Sequence, residues 1–156
     1  MTLGDETRDY IGALINIDMS VVSRWAEERN LAFSTFTDLS QMDEVAVLTR
    51  GEIARVNSFL PDHARIRRFA NFPKELDPDE GELTRTRKLR REFLVERYAP
   101  LIAGLYADLD TVDLRILVTN PDGRRGTFAA KVAVYDVEPG VRATRPAVTP
   151  KRMANV

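Results

Sequence analysis

Apolar residues run almost unbroken from Tyr10 to Ile17 (Tyr-Ile-Gly-Ala-Leu-Ile-Asn-Ile), a pattern that predicts a strand buried on both faces. Asp18 follows as a candidate N-cap for a helix over about Met19 to Arg29, with Val21, Val22, Trp25 and Ala26 on one face. Ala32 to Phe36 reads as a short extended segment. Ser40 or Asp43 then opens a second helix whose apolar positions Ala46, Ile53, Val56 and Leu60 recur at helical spacing, with a stop before Pro61. Ile66 to Phe72 predicts a second strand, ended by Pro73.

A polar loop, Pro73-Lys-Glu-Leu-Asp-Pro-Asp-Glu-Gly81, carries a tight Asp79-Glu-Gly81 turn. Leu83 to Lys88 is expected to be extended. A third helix should run from about Arg90 to Tyr106, with Leu94, Tyr98, Leu101 and Leu105 inward and a kink or break at Pro100. Asp113 to Thr119 and Thr127 to Asp136 flank Asn120-Pro-Asp-Gly and read as a β-hairpin, with Val132, Val134 and Ala130 on one face. From about Pro139 onward there are prolines and basic residues but no acid, and that tail is expected to be disordered. These elements add up to an α+β fold: a small mixed sheet flanked by about three helices, with a C-terminal hairpin.

The composition narrows the chemistry. The chain has 156 residues, 44% of them hydrophobic, enough for one ordinary core. Its 23 basic and 24 acidic residues nearly cancel, so any cationic surface must be local. With no cysteine there is no thiol nucleophile, disulfide or Cys-based zinc site, and the single histidine, His63, excludes a multi-His metal centre. No serine stands in a Gly-x-Ser-x-Gly setting, and neither a Walker-type loop nor a Gly-x-Gly-x-x-Gly is present. No stretch has the apolar length of a membrane span, and the N-terminus lacks a signal-peptide pattern, which predicts a soluble, cytoplasmic domain.

Against that background the segment Arg85 to Arg91 stands out, because Arg85, Arg87, Lys88, Arg90 and Arg91 are all cationic. Three readings are open from the residues alone. The run can be a solvated helix-side face. It can neutralise nucleic-acid phosphates or dock a partner protein, as a stand-alone binding module would. Or it can hold one catalytic cation, Lys88, among arginines that meet a phosphorylated ligand.

The segment Leu83-Thr-Arg-Thr-Arg-Lys-Leu-Arg-Arg91 closely resembles the last core motif of the long-chain fatty acyl-CoA synthetases, in the adenylate-forming (AMP-binding) superfamily, where the pattern is Leu-Thr-Pro-Thr-x-Lys-x-Lys/Arg-Arg. The family's catalytic lysine falls on Lys88. Gly4-Asp5 with Tyr10-Ile-Gly-Ala-Leu-Ile-Asn-Ile-Asp18 is similar to the opening strand of the family's C-terminal domain. Glu52-Ile-Ala-Arg-Val-Asn57, Arg65-Ile-Arg-Arg-Phe69 with Lys74-Glu-Leu-Asp77, and Glu96-Arg-Tyr98 through Tyr106 are similar to its helix, its strand-and-loop and its closing helix. The resemblance covers about residues 4 to 107, and the hairpin beyond resembles an extension of some branches. Two positions depart from the pattern: Arg85 replaces the proline, and Arg87 the usual apolar residue, which should loosen the turn.

The resemblance implies a mobile C-terminal lid domain over residues 1–108, a hairpin extension of the same domain over 109–138, and a tail over 139–156. It implies that Lys88 drives fatty acyl-adenylate formation from ATP with Mg2+, and that the domain then rotates for thioester formation with CoA. Arg67, Arg68 and Arg90 become candidate contacts for CoA phosphates, and no metal site is expected on this chain. The family's large N-terminal adenylation domain, with its phosphate loop and fatty-acid pocket, has no counterpart in these residues, nor has the hinge motif, so the fragment alone should be inactive. The intact enzyme could sit peripherally at the inner membrane face. Lys74 is expected to be a solvated loop lysine, His63 a surface turn residue, Trp25 a core anchor, and Asp77, Asp79 and Glu80 turn-forming carboxylates.

Overall fold

The structure is a computed structural model and describes residues 1–107, 109–120 and 122–138. The strands and helices are β1 (Thr2–Leu3), β2 (Ile11–Ile15), α1 (Met19–Glu27), α2 (Phe36–Ser40), α3 (Asp43–Asn57), β3 (Ile66–Asn71), α4 (Arg91–Arg97), α5 (Ala99–Tyr106), β4 (Thr111–Thr119), β5 (Arg125–Ala133) and β6 (Tyr135–Asp136). The four-stranded mixed sheet has the order β1-β2-β3-β6, and β4-β5 form a separate two-stranded sheet. The α+β class therefore holds.

β2 and β3 are the parallel pair, with Ala13 opposite Phe69 and Leu14 opposite Ala70. Their side chains alternate between two cores. Ala13, Ile66 and Phe69 join Ile53 of α3 on one face. Leu14, Ala70 and Phe72 join Leu94, Tyr98, Leu101 and Leu105 on the other. Burial on both faces is why these strands read as nearly continuous apolar runs. The β4-β5 hairpin closes the second core, supplying Val112, Leu114, Ile116 and Val132. At Gly104 an added Cβ would lie 2.2 Å from a methyl of Val112, so glycine is what lets α5 approach β4.

Local signals place the ends of the elements. Asp18 caps α1 by accepting from the amides of Ser20 and Val21, and these hydrogen bonds, the Ser20 hydroxyl's first, hold its carboxyl below the usual range. The Asn57 side chain docks α3 onto β3, donating to the Ile66 carbonyl and accepting from its amide at 2.8 and 2.9 Å.

Among the described residues, five α-helices replace the expected three. α2 is a single turn closed by a Thr35/Asp38 capping box, in place of the extended segment expected to reach Phe36. The helix expected from Arg90 to Tyr106 divides at Tyr98, with Pro100 in the first turn of α5. The strand expected over Thr127 to Asp136 also divides: beyond Val134 the chain leaves β4, and β6 pairs with β3 through Arg68–Asp136 and Phe69–Tyr135. The expected disorder from Pro139 onward lies outside the described residues.

Candidate functional site

Residues 82–90 form a tight hairpin, where an extended segment was expected. Leu83 and Leu89 bridge antiparallel. The Arg87 amide donates to the Thr84 carbonyl at 2.9 Å, and the Thr84 amide to the Lys88 carbonyl at 2.8 Å. Arg87 itself has φ 60°, the left-handed conformation that ends such a turn and lets the return strand pair. The Thr84 hydroxyl accepts from the Lys88 amide at 3.0 Å. Lys88 is thus fixed by its backbone while its side chain is exposed. Among the described residues its ammonium has no ion pair or hydrogen-bond partner.

The stem of this hairpin rests on a buried glutamate. Glu82 is fully shielded from solvent, and its carboxylate has four neighbours. The Lys74 ammonium donates at 2.5 Å, the Asp77 amide at 3.0 Å and the Tyr98 hydroxyl at 2.9 Å, while Arg97 Nε forms an ion pair at 3.4 Å. The Glu82 carbonyl accepts from the Arg90 amide at 3.0 Å, tying the two arms of the hairpin together. Burial, followed by the Glu82 charge and hydrogen bond, pushes the Tyr98 phenol far above its ordinary range, so it stays a donor.

Arg97 extends the network. Its Nη2 donates to Glu80 Oε2 at 2.7 Å and to the Leu117 carbonyl, and Glu80 also accepts from the Thr119 amide on β4. Burial raises the Glu80 carboxyl, but the Arg97 and Thr119 hydrogen bonds with the Arg97 and Lys74 charges outweigh it, so it lies below the usual range. The turn entering this region is the expected one: Gly81 has φ +77°, and its amide donates to the Pro78 carbonyl at 3.0 Å.

The other candidates separate by environment. Arg68 is buried and engaged: it donates to the carbonyls of Leu105, Ala107 and Leu109 and faces Asp136 at 3.1 Å. It caps the C-terminal end of α5, where a cation is electrostatically favoured, and a phosphate role would require breaking that cap. Arg67 donates to Asp62 at 2.6 Å at the far end of β3. Arg90 turns back to the Gly81 carbonyl at 3.1 Å, and Arg91 reaches the Thr2 carbonyl at 2.7 Å. The basic run is therefore not one free patch; of its five cations, Arg85, Arg87 and Lys88 are left without side-chain partners among the described residues.

Lys74 is not the solvated lysine expected, because Glu82 holds it. Asp77 does form its turn, accepting from the Asp79 amide at 2.8 Å, but Glu80 is drawn into the Arg97 pair. His63 is exposed on a short 3-10 turn. Trp25 flanks the cluster of Ile17, Val22, Ala26, Leu39 and Val45, with the Arg29 guanidinium 4.5 Å from its ring centre. Among the described residues no group of acidic or histidine side chains is placed to hold a metal ion, and no helix is long and apolar enough to cross a membrane.

Sequence reasoning missed Glu82 and Arg97. The available signal was Tyr98, a tyrosine on the buried stripe of a helix, whose hydroxyl needs an acceptor nearby.

With this geometry in view, the relatives are informative. Over 107 residues the chain is 28% identical to the long-chain-fatty-acid–CoA ligase FadD15 of Mycobacterium tuberculosis, and equally to FadD15 of Mycobacterium bovis, covering 68% of this chain and 18% of theirs. It is 31% identical over 107 residues to the fadD11 protein of Mycobacterium tuberculosis, a fatty-acid–CoA ligase by name, covering 69% of this chain and 18% of that one. The resemblance to the long-chain fatty acyl-CoA synthetases holds, and the chain spans only about 18% of the length of these curated relatives. No family model matches the chain, and no solved structure matches it.

Proposed function

We propose that this chain is the mobile C-terminal domain of an ATP-dependent long-chain fatty acid–CoA ligase, with Lys88 as the catalytic lysine of the adenylation step. One observation carries the reading. The lysine that the motif singles out has, among the described residues, an unpartnered ammonium on a backbone-pinned turn, in a chain similar to a short segment of fatty-acid–CoA ligases. Residues 1–108 form the lid in this proposal, 109–138 a hairpin extension packed onto it, and 139–156 a tail.

In the first half-reaction the fatty carboxylate attacks the α-phosphate of ATP, and pyrophosphate leaves. Two anions must approach while charge builds on the phosphoryl oxygens. A cation held beside both offsets the repulsion and stabilises the transition state. Lys88 suits this task because, among the described residues, no carboxylate competes for it. A rigid turn also places it at little entropic cost once the lid has closed. In the second half-reaction the CoA thiol attacks the acyl-adenylate carbonyl, AMP leaves and the thiol proton is released. No cation is needed at the α-phosphate then, and rotation of the domain would withdraw the hairpin and open a path for CoA.

The ATP and fatty-acid pockets belong to a large adenylation domain that is this chain's partner in the proposal. The test is reconstitution. A ligase truncated before its own C-terminal domain, mixed with this chain, should regain acyl-adenylate formation, whereas the chain alone should make none. Salt-sensitive DNA binding by the chain, with no rescue, would favour the binding-module reading instead.

A further inference from the structure

We infer that Glu82 is a positioning residue for Lys88, and that the Glu80–Arg97 pair extends its strut to the β4-β5 hairpin. The inference rests on the role proposed for Lys88 and adds what holds that lysine in place.

The hairpin bearing Lys88 has little structure of its own. It is closed by one bridge, Leu83–Leu89, and by a turn with a non-glycine residue in the left-handed region. Leu89 is exposed, as are Arg85, Thr86, Arg87 and Lys88 at the tip. Short isolated hairpins are marginal in water, so an ordered lysine here needs an external anchor. Glu82 is that anchor on three counts. It is the residue at which the hairpin enters the core. Its own carbonyl receives the Arg90 amide from the returning arm. Its carboxylate is gripped from the preceding loop by Lys74 and the Asp77 amide, and from α4 and its C-cap by Arg97 and Tyr98.

A core of this size could be filled by a leucine, and a buried carboxylate among cations contributes little net stability over an apolar residue. What it does supply is directional. Four groups from two segments, the loop after β3 and the end of α4, fix the carboxylate, and through it the base of the lysine hairpin. Arg97 carries the same strut outward, because Glu80 binds both Arg97 and the Thr119 amide at the end of β4. The extension strand thereby braces the loop that leads into the hairpin.

The experiment is amide hydrogen exchange on the whole chain with Glu82→Gln and, because a buried substitution of that kind can prevent folding, Tyr98→Phe. The amides of Thr84, Arg87 and Arg90 report the hairpin, and that of Phe72, bonded to the Ile15 carbonyl at 2.8 Å, reports the core. The expected result is exchange on the order of tenfold faster at the hairpin amides with Phe72 little changed. Unchanged hairpin amides, or acceleration shared equally by Phe72, would overturn the inference. A second readout separates positioning from mere stability. In the reconstituted ligase, Tyr98→Phe should lower kcat for adenylation with KM for ATP unchanged, and spare thioester formation; equal loss in both half-reactions counts against it. Lys88→Ala should leave the exchange rates as they are, so a failed lysine assignment and a failed strut give different results.

Discussion

Lys74 Nζ stands 2.5 Å from Glu82 Oε2, and the glutamate it meets has no solvent exposure. The pair lies where the loop after β3 turns towards the lysine hairpin. Removing one member of a buried pair leaves an uncompensated charge, which costs about 3–5 kcal/mol. Glu82 would retain its Tyr98, Arg97 and Asp77 contacts, so Lys74→Met should fall at the lower end, about 3 kcal/mol. Denaturant unfolding measures it, and a loss below about 0.5 kcal/mol would mean a surface pair of no consequence.

Arg97 joins three parts of the fold: α4, the loop at Glu80 and Glu82, and β4 at Leu117. Arg97→Ala takes one cationic partner from two carboxylates at once, leaving Glu82 its Lys74, Asp77 and Tyr98 contacts and Glu80 its Thr119 amide, and should destabilise the protein by about 3 kcal/mol. Arg97→Lys keeps the charge but cannot present separate nitrogens to Glu80 and Glu82 as Nη2 and Nε do, so it should recover only part of the loss. Full recovery by lysine would show that charge alone matters.

The lowered carboxyl of Glu80 gives acid dependence a definite sign. A carboxyl depressed in the folded state contributes stability above its unfolded value, about 4.3, and that contribution disappears as pH falls through the folded value. Glu80→Gln should therefore be less stable than wild type at pH 7, with the gap narrowing as pH is lowered towards 3. Thermal melts across that window test this; a gap independent of pH contradicts it.

The turn itself is suboptimal. Arg87 sits at φ 60°, and Arg85 occupies the second position of a turn closed by Arg87 onto Thr84. Arg87→Gly relieves the left-handed conformation, worth about 1 kcal/mol, and Arg85→Pro presets the turn, worth about 0.4–1 kcal/mol. Both should stabilise the chain in denaturant unfolding while leaving Lys88 in place. If either destabilises it, the turn geometry is wrong.

Much of the fold was legible along the chain, for reasons visible in particular residues. β2 and β3 announce themselves because both faces are buried. Asp18 is a polar cap directly before a patterned helix. Leu94, Tyr98, Leu101 and Leu105 keep helical spacing across the break at Tyr98, and all four are fully buried. α2 escaped notice because one turn is too short for periodicity; only its Thr35/Asp38 box marks it. Val21 and Val56 were assigned to inner faces yet are exposed, since apolar residues at a helix margin do not by themselves define the buried side.

The candidate site divides in the same way. Lys88 was legible as a motif lysine. Its support was not, because Lys74, Glu80, Glu82 and Arg97 look like solvated charges in a sequence rich in them. Only tertiary packing brings the loop after β3, the hairpin stem and the end of α4 together. Arg68 shows the converse. It resembled a phosphate ligand beside Arg67, but alternation along β3 turns it inward onto the last carbonyls of α5.

The most direct measurement is Lys88→Ala in the reconstituted or full-length ligase, with the two half-reactions assayed separately. Loss of one preorganised contact to the developing charge should slow acyl-adenylate formation by about 10²–10³-fold, while CoA thioester formation from supplied acyl-adenylate continues near the wild-type rate. Equal loss in both half-reactions, or full adenylation without the lysine, would contradict the assignment of Lys88.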